Sequence, residues 1–204
     1  MAIAVVAAAA LYLFVPAEFR LGEAAHVGYP SLLVLFLVVL TIGDPGRIDR
    51  RSRWLRIVTG LMIVTMTVAT AVSTVRLIIG ILQNADFASP GRLLTIGVVV
   101  WVTNVIAFAF WYWHLDAGGP AVRACGGLDA RPAFHFPETD LDEVGPAWFP
   151  QYIDYFALSF NTSTAFSPTD VSAIRHWSKL MLILEAALSL ALVALVLARA
   201  VNIM

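Results

Sequence analysis

The chain has 204 residues, of which 60% are apolar and 13% charged, and its formal net charge is −1. Soluble domains run near 45–50% apolar and about 25% charged, so a soluble enzyme is excluded and an integral membrane protein is indicated. The small net charge argues against a nucleic-acid binder, and a single cysteine, Cys125, leaves neither a disulfide framework nor a cysteine-based metal cluster.

At roughly 20 apolar residues per span, the length allows five or six spans and no separate soluble domain. Residues 2–17 are a short apolar run without a basic flank. They read as a first helix, with Val15-Pro16-Ala17 as a possible signal-peptidase site. A second span, 25–43, stops at Gly43-Asp44-Pro45-Gly46. Loop 44–56 follows, with Arg47, Arg50, Arg51, Arg53 and Arg56. This run is a topology signal that places the loop in the cytoplasm; binding of lipid headgroups is the alternative.

The span 57–82 carries Thr59, Thr67, Thr70 and Thr74 roughly on one helical face. They read as packing hydroxyls with local hydrogen bonds, or as a polar pathway. Residues 93–115 form the next span, with Asn104 inside it and an interfacial belt of Trp111, Tyr112, Trp113 and His114 at its end. Residues 116–148 are rich in Gly and Pro and read as a loop. Six acids (Asp116, Asp129, Glu138, Asp140, Asp142, Glu143) face only Arg123 and Arg131 there. Such a loop is either ordinary solvated surface or a field that draws cations.

Residues 149–164 are apolar and helix-like but too short to span, whereas 178–201 make a full span. Short apolar helices are often re-entrant, and irregular backbone at membrane depth persists only when buried in protein or lining water. Between the two lies Thr162-Ser163-Thr164-Ala165-Phe166-Ser167-Pro168-Thr169-Asp170. This segment resembles the filter of the potassium-channel superfamily, T-x-T-T-V-G-Y-G-D, without a gap. Thr162 and Thr164 fall on family threonines, Phe166 on the apolar valine and Asp170 on the terminal aspartate. Trp177 and Lys179 match residues at the start of the inner helix, and Ser189 falls where many inner helices carry a hinge glycine. Asn161 takes the place of a carboxyl that braces the filter. The chain as a whole also resembles a bacterial family of predicted membrane proteins with no assigned activity.

The resemblance implies an all-α membrane protein of five transmembrane helices plus a re-entrant pore helix, closed as a homotetramer. Residues 1–82 would hold three N-terminal spans, and 93–204 the pore module: outer helix 93–115, loop 116–148, pore helix 149–164, filter-like segment 162–170 and inner helix 178–201. It further implies an ion channel of the bacterial inner membrane that passes K+ or Na+. Ser167 and Thr169 replace the family glycines and Pro168 the tyrosine. Successive carbonyls aimed at one axis need conformations cheap only for glycine, and Pro168 fixes φ near −65°. A potassium-type carbonyl filter is therefore not expected; a wider constriction lined by Thr164, Ser167 and Thr169, with a ring of Asp170, is. Asn161, Glu185 and Ser189 are expected to brace the filter or line the pore. Glu185 alternatively pairs with a basic residue such as Arg76 or Lys179, or is protonated by burial, since an intramembrane carboxylate rarely faces lipid. Asp154 and Asn161 share one face of the pore helix.

His26, His114, His135 and His176 show no ligand spacing, and neither a nucleophile elbow nor a phosphate loop is present. No metal, cofactor or enzymatic activity is expected. The alternative function is a non-conducting or transporter-like membrane protein of unknown partner. Counting spans from the arginine loop puts the acidic loop in the cytoplasm, opposite to ordinary potassium channels.

Overall fold

The computed structural model describes residues 1–203 except 21, 23, 44–52, 84–86, 88, 125–130, 142–147 and 165–169. The protein is mostly helical. Four helices are long and apolar enough to cross a membrane: α2 (Ala25–Gly43), α3 (Arg53–Leu82), α4 (Pro90–Leu115) and α7 (His176–Ile203). Two shorter ones join them, α1 (Ala2–Leu13) and α6 (Tyr152–Thr164). A one-turn helix, α5 (Pro120–Ala124), and two short strands, β1 (Phe134–His135) and β2 (Ser172–Ala173), lie in the connections.

The central helix is α4, which packs against α1, α3, α6 and α7. Its start is fixed locally: Ser89 Oγ accepts from the Arg92 N–H at 3.2 Å, and Pro90 stands in the first turn, where its missing N–H costs nothing. Gly97 lets α4 and α7 approach closely, since a Cβ there would lie 2.8 Å from Val196. By contrast α2 lies outside, with only Tyr29 and Leu33 buried along it.

The threonines of α3 resolve into the packing reading. Thr59, Thr67 and Thr74 each donate to the carbonyl four residues earlier, which satisfies a hydroxyl without a partner helix. Thr67 additionally accepts from Trp111 Nε1 of α4 at 2.8 Å.

The ends of the bundle follow from side-chain meetings. Met1, Ala2, Arg56 and His114 border one cavity, so the starts of α1 and α3 and the end of α4 share a face. Phe19 stacks on Phe87 at 6.1 Å, and Arg76 donates to the Arg20 carbonyl, so the α1–α2 and α3–α4 connections share the other. The helical part of α1 is only 12 residues, about 18 Å at 1.5 Å per residue. An extended Pro16 and a 3₁₀ turn, Ala17–Phe19, carry the segment on to the second face.

Candidate functional site

Helix α6 has 13 residues, about 20 Å, and is wedged between α4 and α7. Its start is capped in part by Asp154, whose Oδ2 accepts from the Gln151 N–H at 2.7 Å. Tyr152 there packs against Phe110 and Trp113, near the end of α4. Its far end reaches the middle of the bundle: Phe160 meets Trp101, and Ser163 and Thr164 border a cavity with Gly97. By Asp170 and Val171 the chain is back beside Asp154. Strand β2 then pairs antiparallel with β1, Phe134 opposite Ala173, and the Ile174 N–H donates to the Ala133 carbonyl at 2.8 Å. The chain therefore enters and leaves on the face that carries Arg56 and the 116–148 connection.

Two buried polar clusters hold α6 in place. Both exploit its buried stripe, in which Tyr155 and Ser159 stand four residues apart and so on one face. Near the face, Asp116 is 1% exposed. Its Oδ1 accepts from the N–H of Ala133 at 2.6 Å and of Phe134 at 3.4 Å, and its Oδ2 from the Tyr155 hydroxyl at 2.5 Å. Arg123 donates to the carbonyls of Asp116 and Trp113 at 2.6 and 2.9 Å, satisfying the open end of α4, and lies 5.0 Å over the Tyr155 ring. Burial pulls the Arg123 guanidinium below its ordinary value; the Tyr155 and Asp116 groups beside it oppose that shift.

Deeper in the bundle, Glu185 of α7 is fully buried. The Tyr112 hydroxyl of α4 donates to its Oε2 at 2.5 Å, and Ser159 Oγ is hydrogen-bonded to its Oε1. Ser159 Oγ also lies 2.8 Å from the Val105 carbonyl. Ser159 thus links the carboxyl group of α7 to the backbone of α4. One helical turn further along α7, Ser189 is buried and accepts a long hydrogen bond from Asn104 Nδ2 at 3.4 Å.

Glu185 and Ser189 thus sit inside one protomer, joined to α4 and, for Glu185, to α6. Glu185 is not paired with Arg76, which reaches Arg20, nor with Lys179, which is exposed. Asn161 borders a cavity of about 280 Å³ at the face with Glu138, Asp154 and Asp170. Thr162 donates to the Leu158 carbonyl, Ser163 to Phe160 and Thr164 to Asn161, so these hydroxyls cap the end of α6. Ala165, Phe166, Ser167, Pro168 and Thr169 lie outside the described residues. A cavity of about 510 Å³ at mid-bundle is bordered by Thr164 and Ser189.

Known protein families, characterised proteins and solved structures give no match to this chain.

Asp116, Tyr112, Tyr155 and Ser159 escape sequence reasoning as a set, because their partners are 17 to 73 residues away. The one local signal is Tyr155 and Ser159 at helical spacing on a helix too short to span.

The Glu185 cluster predicts an ordering of variants. Glu185→Gln still accepts from Tyr112 and donates to Ser159, so it should lower stability by under about 1 kcal/mol. Glu185→Ala strands the buried Tyr112 hydroxyl, leaves Ser159 only the Val105 carbonyl and opens a cavity, and should cost about 3 kcal/mol. Unfolding in detergent by SDS titration measures both; equal losses would show that Glu185 acts through its charge instead.

Proposed function

We propose that the chain is one subunit of a cation-conducting channel of pore-loop design, set in a bacterial inner membrane. The observation that carries this reading is the path of α6: the helix runs from one face to mid-bundle, where Thr164 borders an inner cavity, and by Asp170 the chain is back at an acidic cavity on the same face. A helix end at that depth calls for protein or water around it. The first segment and the four long helices make five crossings, with α6 as pore helix and α7 as inner helix. One α6 and one α7 cannot enclose a pore, so the assembly is a homotetramer around α7.

Carboxylates of Glu138, Asp154 and Asp170 gather at the mouth, and four copies would concentrate K+ or Na+ there. From Leu180 to Ala198 every exposed residue of α7 is apolar. The inner passage is then hydrophobic, a geometry that gates by dewetting. The same apolar face favours a second reading, a non-conducting helical assembly in which α7 packs against protein or lipid.

Reconstitution into liposomes separates the two. The channel reading predicts cation flux above empty vesicles for both K+ and Na+, with rates within about tenfold of each other, since the filter glycines of a potassium channel are replaced. Asp170→Asn should lower the flux more in dilute salt than at physiological ionic strength. Crosslinking in native membranes should give up to four linked copies. Flux at the empty-vesicle level with an uncrosslinkable monomer would establish the non-conducting reading.

A further inference from the structure

A third cavity, of about 310 Å³, opens on the face shared by Arg56 and the end of α4. Nothing in the channel reading uses it. Its volume falls in the range of small-ligand sites, and its walls combine leucines of α2 with a short polar rim. Leu37 and Leu40 supply the apolar side, and Thr41, Arg56, Thr59 and His114 the polar one.

Two hydroxyls of that rim are already spent. Thr41 spends its hydroxyl proton on the Val38 carbonyl and Thr59 on the Leu55 carbonyl. Arg56 is exposed at the rim. His114 is 8% exposed and borders the cavity, and among the described residues its buried Nδ1 has no hydrogen-bond partner. A buried ring nitrogen left unpaired in a built cavity signals a missing partner. No carboxylate borders the cavity among the described residues. Arg123, whose Nη atoms hold the end of α4, adds positive charge behind His114. Asp116 turns its carboxylate away toward Ala133 and Tyr155.

We propose that this cavity binds a phosphate ester, held by the Arg56 guanidinium and His114 Nδ1. A guanidinium and an imidazole N–H are donors that match phosphate oxygens. The source the position favours is an anionic phospholipid. The cavity lies at the aromatic belt, where headgroups sit, and its leucine wall belongs to α2, the helix with the least burial, so acyl chains have an open path. Arg-rich segments at a membrane face also concentrate anionic lipid. The alternative source is a soluble phosphate ester reaching the same two donors.

Native mass spectrometry of the detergent-solubilised protein tests this, with phosphatidylglycerol and glycerol 3-phosphate as separate probes and phosphatidylcholine as the lipid control. Wild-type protein is expected to retain phosphatidylglycerol over phosphatidylcholine. Arg56→Gln and His114→Leu should each weaken that binding by roughly tenfold, the scale of one lost charge-assisted hydrogen bond. Arg92→Gln, at the opposite end of the bundle, should leave it unchanged. Binding of glycerol 3-phosphate with the same losses supports the site and assigns it a soluble ligand. If His114→Leu does not fold, Arg56→Gln carries the test, since its side chain is exposed. Binding of neither probe by the wild type, or equal binding by wild type and Arg56→Gln, overturns the proposal. Neither result bears on ion flux, so the channel reading stands or falls separately.

Discussion

Asp116→Ala should be the most damaging single substitution outside the transmembrane core, lowering stability by about 3–5 kcal/mol. The carboxylate is buried and takes hydrogen bonds from the Tyr155 hydroxyl and from the backbone of Ala133 and Phe134. Alanine strands all three donors and leaves the Arg123 guanidinium without the nearest opposite charge. A buried donor without a partner costs about 1–3 kcal/mol, and an uncompensated buried charge costs more. The damage should spread along a defined path. Tyr155 anchors the start of α6, and the 133–136 segment carries β1, which pairs with β2 on the return side. The start of α6 and the strand pair that follows it thus lose their tether at once. Asp116→Asn keeps one acceptor oxygen for the backbone and should cost less; Tyr155→Phe removes one hydrogen bond and should cost about 1 kcal/mol. SDS titration in mixed micelles gives the three values. If Asp116→Ala falls within about 0.5 kcal/mol of wild type, the range of ordinary surface changes, the cluster does not hold α6.

The helices were legible because a bilayer writes its thickness into the sequence. The span read over 25–43 matches α2. Those read over 57–82, 93–115 and 178–201 are each extended by two to four residues at their starts, and the last also at its end. The short helix read over 149–164 begins at Tyr152, because the Phe149-Pro150 pair precedes a partial cap made by Asp154. What stayed hidden were interactions across helices. Asp116 reads as one more acid in a solvated loop, and only folding brings Tyr155 and the Ala133 amide to it. Glu185 stood out as an intramembrane carboxylate, yet formal charge pointed to Arg76 or Lys179. In a low-dielectric interior, hydroxyls that satisfy a carboxyl group without burying a second charge are the cheaper partners. Tyr112 and Ser159 carry no charge to announce them. The pairing of β1 with β2 was equally invisible, since strands of two residues have no periodicity. The connection 116–148 read as loop therefore conceals the tether of the return segment.

Orientation gives the other all-or-none expectation. Arg56 and the 118–121 segment border one cavity, so the arginine connection and the acidic connection belong to one face. Nine of the thirteen Lys and Arg residues fall on that side in chain order: Arg47, Arg50, Arg51, Arg53, Arg56, Arg123, Arg131, Arg175 and Lys179. Arg20, Arg76, Arg92 and Arg199 fall toward the other. Lys and Arg near span ends set topology, and acids contribute little. The expected cytoplasmic side is therefore the face that also carries Glu138 and Asp170; on the channel reading, the proposed pore is then inverted relative to ordinary potassium channels. Single cysteines at Arg53, Glu138 and Arg92, all exposed positions, can be placed in a Cys125→Ser background and labelled with a membrane-impermeant maleimide. In right-side-out vesicles only the Arg92 position should react; in inverted vesicles the Arg53 and Glu138 positions should react and Arg92 should not. Labelling of Arg53 and Glu138 from opposite sides would break the shared face itself. Labelling of both from outside would keep the shared face but reverse the protein in the membrane, and the acidic cavity would then open to the exterior.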